Sequence, residues 1–337
     1  KRQNSAPPPF FSPAVSAARF KKSREGKKAK LLARFKLKRY YKREIILSVR
    51  FASRINCRAL KAGAAESSKM YKLIVSDFDD TLLKSDKTLS EHTLQVIKAL
   101  KGRGIHFTFC SGRMYDSLRR YINALEIDIP VISYNGAMIV NPLDESIMEH
   151  WSIELPLAKE LCARLEGLGL YIQAYMDDKM YCREITDITR MYTSVTGSEA
   201  HPLHSLLSES LFAPPTKIIA LTHSEEVKKL LPVMREQYKD KLVVTVSNPQ
   251  FLEFISPLAG KGSALKLLCE RMNIERGEVL AFGDSLNDLS MLEYAGHAVA
   301  VGNARPEVKA AADEICLSND EDGVAVYIER LLSDMHG

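Results

Sequence analysis

Short apolar runs alternate with helix-patterned stretches along most of this chain, and that alternation narrows the fold more than any other feature. "KLIVSDF" reads as a buried strand. "SEHTLQVIKALKGRG" reads as a helix, with Ser90 placed to cap it, Leu94, Ile97 and Leu100 at helical spacing, and Gly102 or Gly104 to end it. "IHFTFCSGR", "MYDSLRRYINALEI" and "PVISYNGAMIV" then read as strand, helix and strand. The alternation returns near the end in "GSALKLLCERMNI", "EVLAFGDS", "LNDLSMLEYAG", "HAVAVGN" and "PEVKAAADE". Strands separated by single helices form right-handed βαβ units, so the expected fold is α/β, a doubly wound parallel sheet of Rossmann-like type.

Residues 151–250 differ in texture. They hold the only tryptophan, Trp151, many of the tyrosines, and mixed strand and helix signals. They read as a second α/β module inserted into the first, which leaves 70–150 and 251–337 as the main unit.

Charge sets the first 69 residues apart. They carry 20 Lys+Arg against 3 Asp+Glu, or +17, while the rest carries 27 against 39, or −12. Three readings fit this basic, acid-poor extension: an upstream segment outside the folded protein ending before Met70, a targeting peptide, or an arm for nucleic acid with tyrosines set among cations in "KLKRYYKR". Its apolar residues lack a sustained period, so disorder or loose helix is expected. The chain's 46% hydrophobic and 26% charged residues suit a globular protein, and no apolar stretch nears the roughly 18 residues of a membrane span. Six scattered cysteines form no CxxC pair, which argues against a zinc site and fits a reducing compartment. A cytoplasmic location is expected, or an organelle if the extension is a transit peptide.

The chemistry concentrates where strands end. In "VSDFDDTLL", Asp77, Asp79 and Asp80 follow directly on an apolar strand. Ligands of parallel sheets bind at such ends, and a carboxylate pair there suits a hard divalent cation, Mg²⁺ with phosphate oxygens above all. An EF-hand is excluded, since Leu82 and Thr88 stand where it needs Gly and an acid. Helix capping would explain Asp80 but not Asp77. In "FGDSLNDLSM" a second strand runs into Asp284, with Asn287 and Asp288 in the next turn. "FCSGR" offers the Ser111 hydroxyl and the Gly112 N–H to an oxyanion, although Ser-Gly is also a common turn. Lys261, between glycines ahead of a helix, could reach a phosphate or be ordinary solvated surface; the loop is not a Walker A sequence.

Taken in order, these four segments resemble the motifs of the haloacid-dehalogenase-like phosphohydrolase superfamily: DxDxT, Ser/Thr, Lys and GDxxND. "SYNGAMI", "GNARPEVKAAAD" and "DEDGVA" are similar to its Cof-type members of subclass IIB. The spacings agree, with 34 positions from Asp77 to Ser111 and 150 from Ser111 to Lys261, where an inserted cap fits. One departure is Asp80, where DxDGT usually has glycine.

The resemblance implies a Mg²⁺-dependent phosphatase of small phosphorylated metabolites, such as sugar phosphates or phosphorylated cofactors, working through an aspartyl-phosphate. Asp77 would be the nucleophile. Asp79 would be the general acid and base, with its pKa tuned upward. Mg²⁺ would be held by Asp77, the Asp79 carbonyl and Asp284, with Asp288 in support. Ser111, Lys261, Asn287 and the N–H groups of Phe78 and Gly112 would hold the phosphoryl oxygens. The cap, 151–250, would choose the substrate, with Tyr175, Asp177 and Tyr181 as candidates. The alternatives are a phosphohexomutase of the same superfamily, which would not release free phosphate, and a nucleic-acid-binding protein using the basic extension. Neither a membrane nor a nucleic acid is expected as partner. A chain starting at Met70 is expected to match the full chain in melting temperature and phosphatase rate. A rate loss beyond about tenfold, or about 1.4 kcal/mol, would make the extension part of the enzyme.

Overall fold

The computed structural model of the chain describes residues 71–334. The expectations for residues 1–69 lie outside the described residues. Leu-Ile-Val-Ser, all buried, form β1 (Leu73–Ser76). A strand apolar on both faces needs cover on both, which places it inside a sheet. One neighbour is β2 (His106–Phe109), parallel to β1 and reached through the helix Glu91–Lys101. That helix starts as its sequence predicts: the Thr93 N–H donates to the Ser90 hydroxyl at 3.0 Å. Its buried stripe is Thr93, Val96, Ile97 and Leu100.

"PVISYNGAMIV", expected to be one strand, is two. β3 (Val131–Ser133) and β4 (Met138–Val140) run antiparallel, and β5 (Ile147–His150) joins them in a three-stranded sheet. The chain reverses over Tyr134, Asn135 and Gly136, whose φ angles are 52°, 56° and 91°. A methyl group at Gly136 would strike the Gly260 carbonyl, so this turn lies directly against the lysine loop. The Asn-Gly pair was the turn signal, hidden inside an otherwise continuous apolar run.

A six-stranded sheet follows: β6 (Tyr171–Met176), β7 (Lys179–Cys182), β8 (Ala200–Pro202), β9 (Lys217–Leu221), β10 (Val243–Thr245) and β11 (Phe251–Ile255), in the order β10-β11-β9-β6-β7-β8. β11 pairs antiparallel with β9 and β10, so the inserted unit reaches Ile255 and not residue 250 as expected. Ile172, Ala174 and Met176 of β6, with Ile218, Ala220, Leu252 and Phe254, pack on the helices Leu155–Gly167 and Ser224–Gln237. Side chains alternate along strands, so the buried Lys217 and Glu253 fall on the opposite face.

The chain then returns to the main sheet as β12 (Val279–Gly283), β13 (His297–Ala300) and β14 (Glu314–Ile315). The order is β14-β13-β12-β1-β2, all parallel. Strand order reverses between β1 and β12, and a doubly wound sheet opens its ligand crevice at such a point. Asp77 leaves β1 and Asp284 leaves β12 side by side there. Among the described residues, no helix is long and apolar enough to cross a membrane.

Candidate active site

The Asp77 N–H donates to the Phe282 carbonyl at 2.9 Å, which fixes its backbone to the end of β12. Its side chain meets Lys261, the first residue of the helix Lys261–Met272. Lys261 is 1% exposed, the opposite of a solvated surface lysine. Its Nζ donates to Asp77 Oδ1 and, at 2.5 Å, to Asp288 Oδ1. Asp288 Oδ2 accepts the N–H groups of Asp284 (3.0 Å) and Ser285 (2.9 Å), closing the turn after β12. Gly262 lets the lysine helix approach the helix that follows that turn (Leu289–Tyr294), since a methyl group there would collide with the Ser290 backbone.

Oxygen atoms of Asp77, Asp284 and Asp288 all lie within 4.8 Å of one another. Burial, then repulsion from Asp288, raises the Asp77 pKa well above the ordinary carboxylate value, with Lys261 opposing. Burial, then Asp288, pushes Asp284 up to about 6, although the Thr81 hydroxyl donates to its Oδ1 at 2.9 Å. An all-oxygen, anionic donor set under this mutual repulsion fits a hard divalent cation.

The Asp79 carboxylate stands apart from that cluster. Arg113 grips it with Nε on Oδ2 at 2.8 Å and Nη2 on Oδ1 at 2.7 Å, and Lys87 Nζ lies 3.7 Å away. Burial raises its pKa, but the Arg113 hydrogen bonds and charge, with Lys87, carry it below the usual value. This corrects the expectation of an upward-tuned Asp79. The Arg113 guanidinium also lies over the rings of Phe78 (5.2 Å) and Tyr121 (5.8 Å). Asp80 has φ 59°, in the left-handed region that favours glycine, which explains why glycine suits this position. Its added charge is met by Lys87, at 2.6 Å.

Of the residues expected to hold phosphate, Gly112 and Asn287 line the cleft beside Asp77 and Asp284. Ser111 is buried, and its hydroxyl accepts the Arg113 N–H at 3.0 Å. The Gly112 carbonyl accepts from Lys217 Nζ at 2.8 Å. Asn287 Nδ2 donates to Asn135 Oδ1 at 3.0 Å, while its buried Oδ1 has no partner among the described residues. Phe78 buries its ring between Phe109 (4.8 Å) and Tyr121 (4.7 Å).

A cleft separates the two units at this centre. Asp77, Asp79, Gly112, Asp284 and Asn287 wall one side; Tyr192, Lys217, Ser247, Asn248 and Glu253 wall the other. The three substrate-choosing candidates do not line it. The Tyr175 hydroxyl is spent on Gln173 and Tyr192, Asp177 lies exposed in a turn, and Tyr181 packs on His201 and Phe212. Lys217 and Glu253, 3.7 Å apart, line it instead. Their signal was a lone charge inside each of two apolar strands, "KIIAL" and "FLEFI". Arg113 was signalled only by its position beside Ser111-Gly112.

Lys261→Met should leave two buried carboxylates facing each other. In metal-free buffer the expected loss of stability is roughly 3–5 kcal/mol, read by urea denaturation, and partly regained on adding Asp77→Asn. A loss below about 1 kcal/mol would show that the ion pairs do not hold this corner together.

The family profile described as haloacid dehalogenase-like hydrolase matches residues 74–328. Phosphatase YwpJ of Bacillus subtilis is 31% identical over 285 residues, covering 77% of this chain and 100% of its own. The 5-amino-6-(5-phospho-D-ribitylamino)uracil phosphatase YitU of the same organism is 31% identical over 274 residues, covering 77% and 97%. The crystal structure of a haloacid dehalogenase-like hydrolase from Bacteroides thetaiotaomicron superposes with a TM-score of 0.71 at 31% identity, covering 77% of this chain and 99% of that one. With its four motifs gathered at the β1/β12 crevice, the chain belongs to the haloacid dehalogenase-like hydrolases, in their Cof-type branch.

Proposed function

We propose that the protein is a Mg²⁺-dependent phosphatase of small phosphate monoesters, acting through an aspartyl-phosphate on Asp77. One observation carries the reading: a buried strand-end carboxylate, Asp77, is held by a buried ammonium, Lys261, beside a cluster of oxygens that repel one another. The names of the relatives, both phosphatases, support it.

Asp77 attacks phosphorus, and Lys261 orients it while offering positive charge to the phosphoryl oxygens. Ser111, Asn287 and the N–H groups of Phe78 and Gly112 hold those oxygens. Mg²⁺, held by Asp77, Asp284 and the Asp79 carbonyl with Asp288 in support, would neutralise charge on the phosphoryl group. Asp79 hands a proton to the leaving oxygen and later takes one from water. Its Arg113 grip stabilises the ionised form, so proton delivery requires that grip to loosen when substrate arrives. The inserted unit, 151–255, serves as the cap and selects the leaving group through Lys217, Glu253 and their neighbours. The mutase alternative gains no support from relatives named as phosphatases.

The test is phosphate release from a panel that includes hexose 6-phosphates, p-nitrophenyl phosphate and acetyl phosphate. Asp77→Asn should lose at least about a thousandfold in rate while the protein stays folded, read by circular dichroism. Chelation should stop turnover, and Ca²⁺ should not restore it, because Ca²⁺ takes longer bonds and more ligands. Full activity in Asp77→Asn, or equal rates with both metals, would sink the mechanism.

A further inference from the structure

The inserted unit grips the main unit at a place the chemistry does not use. β6 and β7 are joined by a two-residue turn, Asp177-Asp178, with φ 50° and 54°. Two positive φ angles in a hairpin favour Asn-Gly, and aspartate at the second position suits the turn poorly on its own. The helix Tyr115–Leu125, which follows directly on Ser111-Gly112-Arg113, has a deficit of its own. Met114 stands at its N-cap and supplies no side-chain hydrogen bond, where Ser, Thr, Asp or Asn is usual.

These two deficits answer each other. Asp178 Oδ1 accepts the Tyr115 N–H at 3.0 Å, and Oδ2 accepts the Asp116 N–H at 2.7 Å. The Tyr134 hydroxyl donates to Oδ1 at 2.8 Å, from the left-handed turn beside the lysine loop. A carboxylate from one unit thus caps a helix of the other, where the helix dipole also favours it. From the far side, Lys217 Nζ donates to the Gly112 carbonyl at 2.8 Å. The inserted unit thus touches Gly112 in the loop and the first turn of the helix that follows it.

We propose that Asp178 is the latch that closes the inserted unit over the cleft, a positioning residue that strengthens capture of substrates spanning both units. A substrate that spans the cleft is held only while both walls are in place. Apparent affinity therefore scales with the closed fraction, and the contacts that cross the cleft set that fraction. The kinetic part of this inference rests on the phosphatase reading; the latch itself does not.

Asp178→Gly is the decisive variant, because glycine suits the turn while removing the carboxylate. Hydrogen exchange at the Tyr115 and Asp116 amides should quicken roughly fivefold or more. The KM for a hexose 6-phosphate should rise roughly threefold to fivefold with kcat within about twofold. Acetyl phosphate, too small to reach the inserted unit, should be unaffected. Asp178→Asn, which suits the turn but keeps only one of the two acceptor oxygens, should show both effects in smaller size than Asp178→Gly. Unchanged exchange and KM in Asp178→Gly would overturn the latch. So would an equal fall for both substrates, which would mark a general loss of fold. If the unmodified protein hydrolyses neither compound, the phosphatase reading fails, and the exchange measurement still decides the latch.

Discussion

Lys261 carries its ammonium into a space nearly closed to water, where Asp77 and Asp288 meet it. It ties together three separate pieces of chain: the end of β1, the turn after β12, and the first turn of its own helix. Asp77, Asp284 and Asp288 bring three formal negative charges, and Lys261 returns one. A formal −2 remains in a buried oxygen-lined space, which is the charge a divalent cation would match. Burial first, and then the same imbalance through Asp288, raises the pKa values of Asp77 and Asp284.

The second sheet divides its labour between faces. One face is aliphatic and packs on two helices, which gives the unit its own core. The other carries Lys217 and Glu253 toward the cleft, linked onward from Glu253 through Asn135 to Asn287 by bonds of 3.3 and 3.0 Å. One face thus packs on the unit's own helices, while the other, through Ile219, Leu221 and Ile255, joins the core of the main unit beside the cleft.

What the sequence revealed followed from local pattern. Three of the four motifs could be read because they couple an apolar strand to polar residues, the lysine motif only by its place among them, and Ser90 could be read as a cap because capping is local. What it hid depends on distant surfaces meeting. Nothing near Asp79 announces the Arg113 clamp that lowers its pKa. Tyr175 and Tyr181 looked like substrate contacts because tyrosines often are, yet their strands turn them toward neighbours. The β3–β4 reversal was lost in an apolar run, and β11 was misplaced because strand pairing, not composition, assigns it.

The placement of β1 between β2 and β12 has a consequence in time. β1 finds β2 soon after both are made, but its other neighbour comes far later, with Leu73 pairing to Val279. At roughly 5–20 residues per second, ribosomal synthesis leaves one edge of β1 unpaired for about ten to forty seconds. The inserted sheet, with its own helices and nearby strands, has all its parts before β12 emerges. The nascent chain therefore exposes an apolar strand edge ending in Asp77 while its recognition half can already fold. The catalytic centre is assembled last, when Lys261 and the β12 turn arrive.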